Sequence, residues 1–153
     1  MLGERLKHDP VARACFWVTQ WSSDAGLLHN AMTADGTLTP VGESLRFWSE
    51  FAEPDLVEAT HAGRTCVYAT RNGESGRLVI LLLNRSDQTQ SVELDIAGEK
   101  QMRIASMEHL CAAGDDPMAE SVERRSSSRP SPADPTGLTL PPVSATAVIL
   151  NPR

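Results

Sequence analysis

The chain has 153 residues, of which 41% are hydrophobic and 22% are charged, so it can form a packed core and wholesale disorder is excluded. Asp and Glu number 20 against 14 Lys and Arg, and the resulting charge of -6 argues against a nucleic-acid binder that relies on a general basic field. The longest apolar run, residues 78–83, is far shorter than the roughly 20 residues of a membrane-spanning helix. We therefore expect neither nucleic acid nor a membrane as a partner.

The cysteines and histidines give no pattern of a metal or disulfide site. Three cysteines are too few and too scattered for a disulfide framework or a four-thiolate zinc site. No two histidines stand four residues apart on a helix, as paired metal ligands often do. We expect no metal and no cofactor. Cys111 borders a long irregular stretch, so we expect its thiol to be accessible.

The first part of the chain, residues 1–53, reads as one strand followed by one helix. Residues 14–21 are nearly continuous in apolar, β-branched and aromatic residues, as in a parallel strand that is covered on both faces. Asp35-Gly36 predicts a small hairpin turn. Thr39-Pro40 predicts a helix start, with Thr39 as N-cap and Pro40 at the first helical position. Trp48 lies on the apolar face of this helix, and we expect it in the core.

The second part, from residue 54, changes to a period of two. Turn signals such as Asn72-Gly73 separate short apolar runs, and Val92, Leu94 and Ile96 alternate with acidic residues. Residues 114–136 are rich in Pro, Ser, Asp and Arg and show no period, which predicts a long irregular loop. Strands spaced in this way predict an antiparallel β-sandwich. The predicted strands cover residues 56–60, 64–71, 77–84, 90–97, 101–110 and 144–150.

A buried strand of the parallel type needs neighbours on both sides and helices over its faces. In this sequence a single strand and a single helix precede the β-rich part. The first part therefore reads as the last β/α unit of a larger sheet or barrel, and the chain as the C-terminal piece of a larger protein.

Four stretches carry a resemblance to a known group of enzymes. Residues 16–24 (FWVTQWSSD) resemble the eighth strand, and residues 35–48 (DGTLTPVGESLRFW) the final helix, of (β/α)8-barrel glycoside hydrolases. Residues 79–86 and 140–150 (LPPVSATAVIL) are similar to strands of the C-terminal β-sandwich of these enzymes. The group is the retaining clan that includes β-xylosidases, α-L-arabinofuranosidases and some cellulases. The order of the stretches along the chain also agrees with this clan.

The resemblance implies a mainly-β fold: an antiparallel β-sandwich, residues 54–153, preceded by the last β/α unit of an incomplete (β/α)8 barrel, residues 1–53. In the clan, an acid/base Glu ends the fourth strand and a nucleophile Glu ends the seventh, and retaining chemistry needs both. By this resemblance both positions would precede this chain, so we expect it to hold no catalytic residue by itself. Its implied partners are the missing N-terminal barrel and, through the parent enzyme, carbohydrate.

The predicted substrate contacts follow the eighth strand. Trp17 and Trp21 share one face of that strand, and a Trp at the active-site end of a barrel can stack on a sugar ring. Gln20 and Asp24 lie at the same end, where a barrel places its substrate contacts. The alternatives are core aromatics for the two tryptophans and ordinary loop polar groups for Gln20 and Asp24.

Two other functions are compatible with the sequence. A free-standing β-sandwich can be a carbohydrate-binding module, but such modules present several aromatic side chains, and the sequence from Asp55 onward holds one, Tyr68. A structural or interaction module without a ligand is the other alternative.

Overall fold

The computed structural model describes residues 30–61, 63–97, 102–116, 119–127 and 137–153. The chain divides into two compact units, Met1–Glu50 and Phe51–Arg153. The strand expected at residues 14–21 lies outside the described residues, so the barrel unit stays a prediction.

The described part of the first unit contains a tight turn and a helix, both as predicted. Met32 and Leu38 form an antiparallel bridge, and Gly36 closes the turn with a φ of 87°, a conformation that only glycine adopts at little cost. Helix α1 spans Pro40–Phe51. The Thr39 hydroxyl accepts a hydrogen bond from the Gly42 N–H at 3.2 Å, which is the predicted N-cap.

The burial of α1 differs from the prediction at two aromatic residues. Phe47 is 2% exposed and Phe51 is 9% exposed, four residues apart on one side of the helix. Trp48, which we expected in the core, is half-buried. Helical spacing in the sequence indicates an apolar face of Val41, Leu45, Trp48 and Phe51 or Ala52, and this set misses Phe47.

The second unit consists of two antiparallel sheets. The larger sheet has six strands in the order β1-β2-β3-β8-β5-β6, and the smaller sheet pairs β4 with β7. The larger sheet comprises β1 Asp55–Val57, β2 Thr65–Arg71, β3 Leu78–Asn84, β5 Met102–Ala112, β6 Val122–Ser127 and β8 Ser144–Pro152. The smaller sheet comprises β4 Gln90–Glu93 and β7 Gly137–Leu140.

The two sheets enclose one aliphatic core. Ile80 at the centre of β3 stands opposite Ala69 of β2 and Val148 of β8, and all three are buried. Leu138 and Leu140 of the smaller sheet belong to the same cluster. The predicted mainly-β fold with antiparallel sheets is therefore confirmed. The other face of the central strands is buried as well, at Tyr68, Val79, Leu81, Ala147 and Ile149.

The alternating burial predicted after residue 90 is confirmed, although the strand predicted over residues 90–97 ends at Glu93. Val92, Leu94 and Ile96 are partly buried and pack against the core, whereas Glu93 and Asp95 between them are exposed.

The predicted irregular loop at 114–136 is wrong in part. Strand β6, Val122–Ser127, lies inside it and pairs with β5 from Ala112↔Val122 to Met107↔Ser127. An edge strand with charged residues has no apolar run to reveal it, because its pairing rests on backbone hydrogen bonds. Strand β5 extends to Ala112, so Cys111 is 1% exposed, which contradicts the accessible thiol that we expected.

Candidate functional site

The substrate contacts predicted from the sequence all lie outside the described residues. Trp17, Gln20, Trp21 and Asp24 fall within residues 1–29, so their grouping at the end of a barrel strand stays a prediction. The described residues offer three other places for a ligand or a chemical role: a groove, a loop junction around Asn84, and a polar cluster around His109.

The groove lies in the second unit between the two sheets and has a volume of about 810 Å³. Its floor is formed by alternate residues of β2 and β3, because residues two apart along a strand face the same side. The floor residues are Val67, Ala69, Leu78, Ile80 and Leu82, and β4 with the residues after it contributes Val92, Leu94 and Ile96.

The chemistry of the groove is aliphatic inside and charged at its margin. Glu58, Arg64 and Asp95 are exposed residues of its lining. Among the described lining residues there is no Phe, Tyr or Trp side chain on which a sugar ring could stack. Tyr68 belongs to the opposite face of β2 and is 2% exposed. The groove therefore suits aliphatic groups better than a carbohydrate.

The described residues do not bring together a metal site. No group of three or more His, Cys, Asp or Glu side chains in this part of the chain is placed to hold a metal ion. No helix of the described part is both long and apolar enough to cross a membrane.

Asn84, at the end of β3, joins two loops of the sandwich. Its Nδ2 donates to the carbonyl oxygens of Gln88 at 2.8 Å and Pro141 at 2.7 Å, and its Oδ1 accepts from the Ser86 N–H at 3.0 Å. Asn84 is 2% exposed. The sequence Asn84-Arg85-Ser86 matches the acceptor pattern for N-glycosylation, but an amide that is buried with these partners has no space for a glycan in the folded chain.

Val143, in the same junction, carries backbone strain. Its φ of 40° lies in the left-handed region, where a β-branched side chain is rare. The Val143 N–H donates to the Ser86 carbonyl at 2.9 Å, which holds the residue there, while its side chain is 42% exposed.

His109 of β5 links three strands. Its Nδ1 lies 2.8 Å from the Thr146 hydroxyl on β8, and its Nε2 lies 2.8 Å from the Ser127 hydroxyl on β6. His109 is 6% exposed, and this burial lowers the pKa of its imidazole. The negative charge of Glu108 opposes the shift, whereas the positive charge of Arg125 adds to it. These partners stand 37 and 18 residues away in sequence, so no local pattern could have found them.

Asp35 lies in an exposed turn, in contrast to the buried His109. The Thr33 hydroxyl and the Thr37 N–H donate to its Oδ1, and these hydrogen bonds lower the pKa of its carboxyl group. A carboxylate held ionised in this way stabilises the turn and cannot act as a general acid near neutral pH.

Comparison with solved structures finds the fold of the chain in glycoside hydrolases. An arabinose-bound MgGH51 α-L-arabinofuranosidase matches with a TM-score of 0.64 and 13% identity over 88% of this chain and 22% of its own. CelM2, a bifunctional glucanase-xylanase from a metagenome library, matches with a TM-score of 0.60 and 15% identity over 74% of this chain and 22% of its own. An α-L-arabinofuranosidase from Thermotoga maritima matches with a TM-score of 0.59 and 14% identity over 82% of this chain and 32% of its own.

Comparison by sequence finds no match, either to a protein family or to a curated protein. The chain spans 22% of the length of the MgGH51 enzyme and of CelM2. At 13–15% identity these likenesses show the fold. The chain thus shares its fold with part of several glycoside hydrolases.

Proposed function

We propose that this chain is the C-terminal part of a (β/α)8-barrel glycoside hydrolase, in which residues 1–53 close the barrel and residues 54–153 form an accessory β-sandwich. The observation that carries the proposal is the structural likeness over 88% of the chain to an α-L-arabinofuranosidase. The sequence resemblance of residues 35–48 and 140–150 to the same group supports it independently of the fold.

In this proposal the chemistry belongs to the missing barrel. A retaining glycosidase needs two carboxyl groups about 5 Å apart, one as nucleophile and one as acid/base. The chain would contribute the last barrel strand, with Trp21 or Trp17 as a stacking platform for a sugar ring and Gln20 and Asp24 as polar contacts. The proposed substrate class is an oligosaccharide or polysaccharide.

The sandwich has a stabilising role in this proposal. Its central strands are buried on both faces, and its described surface offers neither a row of aromatic side chains nor a metal cluster. In this proposal the sandwich stabilises the barrel by packing against it and supplies no catalytic groups. Removing it from the parent enzyme would lower the stability of the barrel and leave the substrate preference unchanged.

The experiment uses the full-length parent, expressed from the complete reading frame that contains this chain. We expect hydrolysis of nitrophenyl α-L-arabinofuranoside, β-xyloside or β-glucoside, and we expect Trp21→Ala to raise KM with a smaller effect on kcat, because stacking is lost. Trp48→Phe, on the helix outside the predicted contacts, is the matched control and should leave KM unchanged. A full-length protein that folds and hydrolyses none of these or of the corresponding polysaccharides would contradict the proposal.

The alternative of a free-standing carbohydrate-binding module is less well supported. From Asp55 onward the single aromatic residue is Tyr68, and its side chain is buried. Titration calorimetry of the 153-residue chain with xylan, arabinan and cellulose oligosaccharides separates the two functions. Millimolar or tighter binding that survives Trp17→Ala and Trp21→Ala would favour a binding module.

A further inference from the structure

We propose that His109 is an acid-sensitive latch on the edge strand β6: the neutral imidazole holds the Ser127 end of β6 to the sheet, and protonation releases it. The proposal is independent of the glycosidase function. It rests on three observations: the two hydrogen bonds of the ring, the unequal anchoring of the two partner strands, and the position of Arg125.

The ring forms a bridge that fits a neutral imidazole. A neutral imidazole has one donor and one acceptor nitrogen, and a hydroxyl can serve either of them. Thr146 is 0% exposed, and its hydroxyl lies 2.8 Å from Nδ1, whereas Ser127 is partly buried at 2.8 Å from Nε2. An imidazolium would require both hydroxyls to accept, and it would place a charge in a site where His109 is 6% exposed.

The two strands held by the ring differ in how firmly they are bound. Strand β8 lies between β3 and β5 and pairs with both along most of its length. Strand β6 stands at the end of the sheet order and pairs with β5 through six residue pairs. When the hydrogen bonds of His109 are weakened, β6 therefore detaches from the sheet before β8 does, because β6 is held by the backbone hydrogen bonds to a single neighbouring strand.

The charged side chains near His109 lie on β5 and β6, and they affect how firmly β6 is held when the ring is protonated. Arg125 of β6 stands directly opposite His109 in the register, and Glu123, on the same side of β6, forms an ion pair with it. On its own strand His109 is flanked by Glu108, whose carboxylate accepts from the Ser126 hydroxyl at 2.7 Å, and by the Cys111 thiol two residues on. Strand β8, Ser144–Pro152, contains no ionisable side chain. Protonated His109 is attracted by Glu108, which lies on its own strand, and repelled by Arg125, which lies on β6. Moving β6 outward therefore keeps the attraction, removes the repulsion and admits water to the buried ring.

The direction of the pH effect follows from proton linkage. Burial lowers the pKa of His109 in the folded chain, so the unfolded or released state binds more protons at mildly acidic pH. The contribution of the neutral ring is therefore fully present above the ordinary histidine pKa of about 6.5 and is lost as the pH falls below it.

The test is hydrogen–deuterium exchange of the full 153-residue chain at about pH 7.5 and about pH 5, with exposure times corrected for intrinsic exchange. Peptides that cover β6 are compared with peptides that cover β3, and His109→Gln is compared with His61→Gln, which removes an exposed histidine. We expect β6 to lose protection relative to β3 at the lower pH in the wild type and in His61→Gln, and to keep the same protection at both pH values in His109→Gln. Equal protection of β6 at both pH values in the wild type, or the same acid-induced loss in His109→Gln, would overturn the proposal.

If His109→Gln does not fold, an NMR titration of the wild type decides the question. The midpoint for protonation of His109, followed on its ring nitrogens, must coincide with the midpoint for loss of β6 protection. Midpoints that differ by a full pH unit would also overturn the proposal.

Discussion

Asn84 offers the sharpest test of how the sandwich is held together. The substitution Asn84→Ala removes two donor bonds, to the Gln88 and Pro141 carbonyls, and one acceptor bond, from the Ser86 N–H. A hydrogen bond within a protein contributes about 1 kcal/mol net, and a buried group left without its partner costs about 1–3 kcal/mol. Because three bonds are lost at a residue that is 2% exposed, we expect the free energy of unfolding to fall by roughly 3 kcal/mol.

The assay is urea unfolding of the full chain followed by far-ultraviolet circular dichroism, which reports the loss of strands. Gln88→Ala is the matched control, because the carbonyl of Gln88 accepts the bond and its exposed side chain is dispensable. We expect that variant to stay within about 0.5 kcal/mol of the wild type. A second variant, Asn84→Asp, keeps the shape but turns an oxygen toward the carbonyl oxygens, so it should destabilise at least as much as Asn84→Ala at neutral pH. A loss below about 0.5 kcal/mol for Asn84→Ala would refute the reasoning.

Three further substitutions, one of them paired with a control variant, test other parts of the fold by the same unfolding assay. Val143→Asn should raise the free energy of unfolding by about 1 kcal/mol, because Asn tolerates the left-handed conformation better than Val does; no change would show that Val143 is unstrained. Leu82→Ala should cost about 2–5 kcal/mol through the cavity it leaves, whereas Leu56→Ala at a 44% exposed position should stay within about 0.5 kcal/mol. Gly42→Ala should cost about 2 kcal/mol, since a Cβ there would stand 1.9 Å from the Ala31 carbonyl oxygen; a stabilised variant would contradict that close approach.

The parts of the fold that the sequence predicted are those with a strong local signal. Thr39-Pro40 combines an N-cap with a proline at the first helical position, and the helix begins there. Strand β3 is an unbroken aliphatic run, and the structure gives it a central position in the sheet. Val92, Leu94 and Ile96 alternate with acidic residues, and the structure packs them against the core.

The features that the sequence did not predict depend on contacts between distant residues. Val122 is the single apolar residue of β6, so hydrophobic periodicity could not reveal a strand that pairs at the sheet edge. The same strand pairs Cys111 with Glu123 and so places the thiol inside the sheet rather than at the margin of a loop. The cluster of His109, Ser127 and Thr146 joins the consecutive strands β5 and β6 to β8, which lies further along the chain.

The candidate site also has features that the sequence predicts and features that required the structure. The groove could be anticipated from the alternation of β4, because its inward residues require a surface to pack against. Its aliphatic lining, and the burial of Tyr68 on the opposite face, required the structure. The contacts expected from Trp17, Gln20, Trp21 and Asp24 stay predictions, and their test requires the full-length protein proposed above.

The most direct test of the central claim is the reading frame upstream of Met1 in the source DNA, translated over about 350 codons, the span of a (β/α)8 barrel. We expect alternating β/α repeats, with a Glu at the end of the fourth strand and another at the end of the seventh. A stop codon and a ribosome-binding sequence directly before Met1 would contradict it, and the chain would then be a non-catalytic β-sandwich protein.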